Sequence, residues 1–220
     1  MFLLGSGQGG FEIMIDTMKF LDHGRREDGS GRFHQRETDP EHAGAPSAMR
    51  WLGEQNPPDL IAVSPAMHRL LGHAHKIATQ EGPVLICGPT GTGKTRLARE
   101  IHHLSRRSSG PFVRKHCAVF ADGTMLSDLF GHRRGAYTSA HFDRRGALIT
   151  AHGGTLLLDD IDTLPLIGQQ RLLGFLDDPM VTRLGDDDGN GQRVDVRVIA
   201  TTNKDPELLV QKGLFCDDLL

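Results

Sequence analysis

Apolar positions recur along this chain in two periods, and their alternation predicts the fold. Met67, Leu70, Leu71, Ala74, Ile77 and Ala78 fall at helical spacing, preceded by Ser64 as N-cap and Pro65 at the first helical position, and Gly82 stops the run. This stripe reads as core. The short apolar run Pro83-Val84-Leu85-Ile86-Cys87 then reads as a buried strand, and Leu97, Ala98, Ile101 and Leu104 return to helical spacing. Three more strand-like runs cover residues 111–117, 154–160 and 196–203, with helical spacing from Leu166 to Leu176 between the last two. Strands alternating with helices imply an α/β fold whose central parallel sheet is covered on both faces. Ligands of such sheets sit at the carboxyl ends of the strands. Gly88, Asp159 and Asn203 all stand at such ends.

Residues 1–58 read differently. The stretches Gly24-Arg25-Arg26-Glu27-Asp28-Gly29-Ser30-Gly31-Arg32 and Asp39-Pro40-Glu41-His42-Ala43-Gly44-Ala45-Pro46 are polar and rich in glycine and proline, the composition of a poorly ordered segment or linker. A short helix is expected over 11–21. Gly5-Ser6-Gly7-Gln8-Gly9-Gly10 matches G-x-G-x-x-G, but no strand has room to precede it, so it is set aside as a nucleotide site.

The chemistry concentrates in Gly88-Pro89-Thr90-Gly91-Thr92-Gly93-Lys94-Thr95, which fits the P-loop pattern G-x-x-x-x-G-K-[ST] between a strand and a helix. The glycines let successive backbone N–H groups turn inward around phosphate oxygens, and the helix N-terminus adds its positive dipole end. Lys94 would reach the β- and γ-phosphates of ATP, and the Thr95 hydroxyl would ligate Mg²⁺. Leu156-Leu157-Leu158-Asp159-Asp160 reads as the Walker B strand, bringing a carboxylate beside the P-loop. Asp159 is the expected metal-side residue. Asp160 takes the position that usually carries a Glu to orient or activate the attacking water, and it is one methylene shorter.

Bulk properties add mainly exclusions. The net charge of −3 gives no global basic field for nucleic acid. Cys87, Cys117 and Cys216 are odd in number and far apart, with no metal pattern and no obvious disulfide set, as suits a reducing cytoplasm. No apolar run approaches the ~20 residues of a membrane span, and Met1-Phe2-Leu3-Leu4 lacks the basic start of a signal peptide. The pairs His73/His75 and His102/His103 have no third ligand at zinc spacing and are expected as solvated helix-surface histidines.

From about Leu60 to Leu220 the order of motifs resembles the AAA+ domain of bacterial sigma-54-dependent transcription activators. Besides the P-loop and residues 153–161, the resemblance is carried by Ser127-Asp128-Leu129-Phe130-Gly131-His132, Leu164-Pro165-Leu166 with Gln169, residues 197–203, and Gly213-Leu214-Phe215. The discriminating segment is Gly135-Ala136-Tyr137-Thr138-Ser139-Ala140, similar to the family's G-A-F-T-G-A loop, which engages the sigma factor. The resemblance implies a three-layer α/β/α AAA+ core over residues 59–220 without its helical lid. It implies Mg–ATP between subunits of a ring, and a partner in sigma-54 RNA polymerase holoenzyme, which the loop remodels so that DNA can open. It also implies that Asn203 senses the γ-phosphate, that Arg197 lies at the subunit contact, and that Ile61 and Ala62 approach the adenine. No DNA-binding module is recognised, and a subunit-facing or solvated role is expected of Arg133, Arg134, Arg144 and Arg145.

Departures from the family pattern cluster on hydrolysis. Pro89 replaces a Glu in the P-loop, Ser139 replaces a Gly in the loop, His116 replaces the Asn that restrains the catalytic Glu, Asp160 replaces that Glu, and Cys216 replaces an Arg. The second Arg that the resemblance leads one to expect is absent from the residues up to Leu220. An arginine finger is worth roughly 10³–10⁵ in rate, so the expectation is measurable Mg–ATP binding with weak or absent turnover. Two functions remain open: an ATPase-class activator domain, or a hydrolysis-deficient nucleotide-binding module that acts by contact with ring partners.

Overall fold

The computed structural model describes residues 12–15, 65–119, 124–186 and 191–220. The glycine-rich stretches of the first 58 residues, and Ile61 and Ala62, lie outside them. In chain order the larger elements are β1 (Glu12–Ile15), α1 (Pro65–Ala78), β2 (Val84–Cys87), α2 (Lys94–Leu104), β3 (Phe112–His116), α3 (Met125–Phe130), β4 (Gly131–His132), β5 (Arg144–Arg145), α4 (Ala147–Thr150), β6 (Thr155–Asp159), α5 (Leu166–Asp177), β7 (Met180–Val181), β8 (Gln192–Arg193), β9 (Arg197–Thr202) and α6 (Pro206–Gln211). One five-stranded sheet runs in the order β1-β2-β9-β6-β3, and every pairing in it is parallel.

Side chains alternate across this sheet and divide the core in two. Val84 and Ile86 of β2, Leu157 of β6 and Ile199 of β9 pack with Leu70, Ala74 and Ile77 of α1 and Leu97, Ala98 and Ile101 of α2. Their neighbours Leu85, Leu156, Leu158, Val198 and Ala200 point the other way, onto α3, α4, α5 and α6. A strand residue and its successor serve opposite faces, so a sheet buried on both sides needs the continuous apolar runs noted in the sequence. The result is a three-layer α/β/α sandwich. The stripe on α1 is core, as expected.

Two expectations are corrected. The backbone over Glu12–Ile15 is a strand rather than part of a helix: it pairs with β2 in the register Glu12↔Val84 to Ile15↔Cys87. The exposed edge of β2 offers hydrogen-bonding groups that a local helix cannot use. β9 lies between β2 and β6 in the sheet. His102, in turn, is not solvated. It is buried, packs its ring against Phe112, and shares a 2.9 Å hydrogen bond between Nδ1 and Thr155 Oγ1. His103 beside it is exposed.

Burial, with smaller contributions from His103 and Arg99, lowers the His102 pKa to about 4. From the ordinary value of 6.5 down to about 4, the unfolded chain binds a proton that the folded chain refuses. Stability from this site is therefore complete above the unfolded value and is lost as pH falls through that window, at up to about 1.4 kcal/mol per unit. In urea melts, the fall in midpoint between pH 7 and pH 5 should shrink in His102→Gln. An equal fall in both proteins would contradict this account.

Close backbone approach at the opposite end of the sheet explains one glycine. A Cβ on Gly154 would meet the Pro111 carbonyl oxygen at 2.0 Å. Glycine there lets β3 and β6 start side by side, so that both end at the same edge.

Candidate functional site

β2 ends at Cys87, and the chain turns through residues 88–93 into α2, whose first residue is Lys94. Gly91 and Gly93 hold φ of +84° and +90°. A Cβ at either would meet nothing within 4 Å, so glycine serves the direction of the backbone rather than a lack of room. Lys94 folds its ammonium back over the loop and donates to the carbonyls of Gly88 (2.8 Å) and Pro89 (3.0 Å). Thr92 Oγ1 also donates to the Pro89 carbonyl, at 2.8 Å.

The neighbouring strand ends are stitched to this loop. The Gly88 N–H donates to the Thr202 carbonyl at 3.1 Å, and Asn203 Nδ2 donates to Thr90 Oγ1 at 3.2 Å. From β6, buried Asp159 accepts from Thr201 Oγ1 on one oxygen (2.9 Å) and from Arg114 Nε on the other (2.5 Å). Thr95 Oγ1 stands 3.4 Å from the nearer Asp159 oxygen. Although β9 intervenes, Asp159 thus reaches the start of α2.

Asp160 is the only non-glycine residue with positive φ among the described residues, at φ 53° and ψ 55°. Left-handed backbone is tolerated better by Asp than by longer or branched residues, and such outliers concentrate where a site dictates the geometry. Here the turn lets the Asp160 N–H donate to Thr201 Oγ1 at 3.2 Å, while the carboxylate lies 3.4 Å from His116 Nε2. The two altered positions, His116 and Asp160, therefore face each other.

Thr90, Gly91, Thr92, Gly93, Lys94, Thr95, His116, Asp159 and Asp160 line one cavity of about 770 Å³, joined by Met67, Arg96, Arg114 and Thr201. The Lys94 side chain and the Thr95 hydroxyl line it together with the Asp159 and Asp160 carboxylates. This donor set fits a triphosphate with a hard divalent cation. Among the described residues no group of three His, Cys, Asp or Glu could hold a metal alone, and Mg²⁺ typically takes only one or two carboxylates and completes its shell with substrate phosphates and water.

The segment 135–140 lies between the two strands of an antiparallel hairpin formed by β4 and β5. The Gly135 N–H donates to the Ala140 carbonyl (2.8 Å) and the Ala140 N–H to the Tyr137 carbonyl (2.9 Å), closing a tight turn. Thr138 and Ser139 are exposed at its tip and Ala140 is buried beneath. The Tyr137 ring meets His132 edge-on at 5.0 Å, and His132 shares a 2.6 Å hydrogen bond with Ser127 of α3. Arg133 pairs with Asp186 and Asp143, and Arg144 with Asp128. These arginines brace the hairpin, and the Arg133 guanidinium holds the Asp143 and Asp186 carboxyls below their ordinary range, in Asp143 after the hydrogen bond from the Arg134 N–H.

Arg197 is the clear misplacement of the sequence reading. It is 2 % exposed, and its guanidinium donates to the carbonyls of Ile77, Ala78 and Gly82 at the end of α1. A group spent inside its own subunit is not offered to a neighbour. Conversely, Arg114, Thr201 and the chain Thr202-Asp162-Lys204 (2.6 and 2.8 Å) were missed. Strand alternation could have found Arg114, since it shares a face of β3 with His116. Nothing in the sequence singled out the two threonines.

Comparison with known proteins agrees with the site. The pattern of the sigma-54 interaction domain family matches residues 60–220. The regulatory protein AtoC of Escherichia coli (strain K12) is 42% identical over 161 residues, covering 73% of this chain and 34% of AtoC. The sigma54-dependent transcriptional activator SfnR of Pseudomonas putida is 43% identical over 155 residues, covering 70% of this chain and 42% of SfnR. The crystal structure of NtrX from Brucella abortus in complex with ATP superposes with a TM-score of 0.66 at 34% identity, over 73% of this chain and 34% of that one. This chain thus spans well under half the length of these relatives. No helix among the described residues is long and apolar enough to cross a membrane. A glycine loop tied to two strand ends, a braced hairpin carrying the 135–140 turn, and a family match over 60–220 agree: the chain belongs to the sigma-54 interaction domain family.

Proposed function

We propose that residues 59–220 are the ATP-binding core of a cytoplasmic sigma-54-dependent transcription regulator. The cavity takes Mg–ATP, subunits associate in a ring, and the turn at 135–140 contacts sigma-54 RNA polymerase. One observation carries the reading: the same domain presents a P-loop hydrogen-bonded to the ends of β9 and, through Asp159, near β6, together with an exposed Thr138–Ser139 tip on a braced hairpin.

In this reading Lys94 swings from its two loop carbonyls to the β- and γ-phosphates, and the amides of residues 90–95 cradle them. Thr95 and Asp159 would hold Mg²⁺, which when bound neutralises phosphate charge. Asp160 is placed to orient a water and accept its proton, and His116 restrains that carboxylate. Asn203, joined to Thr90, links the loop's state to β9.

A second reading, a hydrolysis-deficient module acting by contact, is favoured by the His116–Asp160 pair itself. A shortened carboxylate already engaged by an imidazole is poorly free to serve water, and Cys216 brings no guanidinium. We expect hydrolysis by the full chain far below about 1 per second, the low end for enzymes. Under the contact reading, it also slows an intact homologue when mixed with it.

The partner proposal is tested by retention of the full chain on immobilised sigma-54 with Mg²⁺ and a non-hydrolysable ATP analogue. Nucleotide-dependent retention, reduced about tenfold or more in Thr138→Ala as for the loss of an interface anchor, is expected. Retention that responds neither to nucleotide nor to Thr138 would contradict it.

A further inference from the structure

The carboxylate expected to face Mg²⁺ already has a cation. Asp159 is 4 % exposed, and a buried carboxylate left without partners is costly. Its oxygens are served from two sides, by Thr201 Oγ1 on one and Arg114 Nε on the other. Thr201 is buried and fixed, because its hydroxyl also accepts the Asp160 N–H. Arg114 is different. Its side chain is 50% exposed, on a flexible stem from the edge strand β3. The register pairs Arg114 with Leu157 and His116 with Asp159, so the guanidinium reaches forward along the strands to its partner. Phe112, on the same face, carries the Arg99 guanidinium at 5.3 Å and the His102 ring, both from α2. Arg114 therefore lies on the P-loop side of the sheet, within the cavity that Lys94 and Thr95 line.

We propose that Arg114 is the built-in counter-ion of Asp159, that it and a divalent cation compete for this carboxylate, and that metal entry releases the guanidinium into the phosphate cavity. The proposal rests on the nucleotide-binding reading above and assigns a residue which that reading leaves unused. The physical reason is charge. A guanidinium and a divalent ion against one carboxylate repel each other at contact distance. Of the donors on Asp159 only Arg114 is charged, and half of its side chain faces solvent it can move into. The freed guanidinium, planar and forked, then suits a phosphate oxygen pair.

The test titrates Mg²⁺ into the full chain with a fluorescent ATP analogue, following nucleotide affinity in the unaltered protein, Arg114→Ala and Arg114→Gln. Circular dichroism confirms folding, and the Gln variant stands in should Ala fail to fold. Removing the competitor should lower the half-saturating Mg²⁺ concentration about fivefold, as for other half-exposed ion pairs. Nucleotide affinity at saturating Mg²⁺ should fall as the released guanidinium is lost. An unchanged Mg²⁺ half-point overturns the proposal. So does an equal loss of affinity with and without Mg²⁺, which would place Arg114 on phosphate from the start. Absence of any nucleotide affinity in the unaltered protein instead overturns the underlying function, and this inference with it.

Discussion

Lys94→Ala should weaken ATP binding about a hundredfold while leaving the fold intact. Lys94 is partly buried and, among the contacts described, its ammonium bonds only to the carbonyls of its own loop, Gly88 and Pro89. Water can replace it there, so the stability cost should stay within about 0.5 kcal/mol, as for other surface substitutions. Against a triphosphate the balance changes. A charge-assisted contact in a partly desolvated site costs about 2–5 kcal/mol to remove, and each 1.4 kcal/mol is tenfold in affinity. Titration with a fluorescent ATP analogue at fixed Mg²⁺ measures this. Loss of affinity accompanied by a large drop in melting temperature would mean that Lys94 holds the loop rather than the ligand.

Arg197→Met should do the reverse. It buries a side chain of similar length but removes three donors from the carbonyls of Ile77, Ala78 and Gly82. Those carbonyls close the C-terminal end of α1, where a cation also meets the helix dipole. Hydrogen bonds to a charged group are worth about 1.5–3 kcal/mol, and buried acceptors left unpaired add their own penalty. The expected cost is about 3 kcal/mol, or roughly 6–12 °C in melting temperature for a domain of this size. Arg197→Lys should not restore it, since one compact ammonium cannot span carbonyls that Nε, Nη1 and Nη2 each reach separately. A melting temperature within 2 °C of the unaltered protein, roughly the shift of under 1 kcal/mol, would show that α1 is anchored otherwise.

These two residues show what a local sequence pattern reaches and what it does not. Lys94 is legible because its chemistry is local: the glycine pattern, the strand before it and the helix after it all lie within a few residues. The layers of the sheet were legible for a similar reason, since apolar runs on β2, β6 and β9 must be covered on both faces. Arg197 was misplaced because its partners stand some 115–120 residues earlier in the chain, and nothing in its neighbours states whether an arginine points outward. His102 failed likewise: its helix position looks polar, but Thr155 and Phe112 come from other elements. The strand at Glu12–Ile15 depends on an open edge of β2 that local pattern does not reveal. At the site, the facing of His116 and Asp160 follows from the parallel register of β3 and β6, whereas the hold of Arg114 on Asp159 required three-dimensional placement.

Amide hydrogen exchange on the full chain, with and without Mg²⁺ and a non-hydrolysable ATP analogue, asks the central question most directly. Slowed exchange concentrated at residues 90–95, with lesser protection where β6 and β9 end, is the outcome a phosphate cradle demands. Equal exchange at those amides in both samples, at saturating analogue, would mean that no triphosphate is held there.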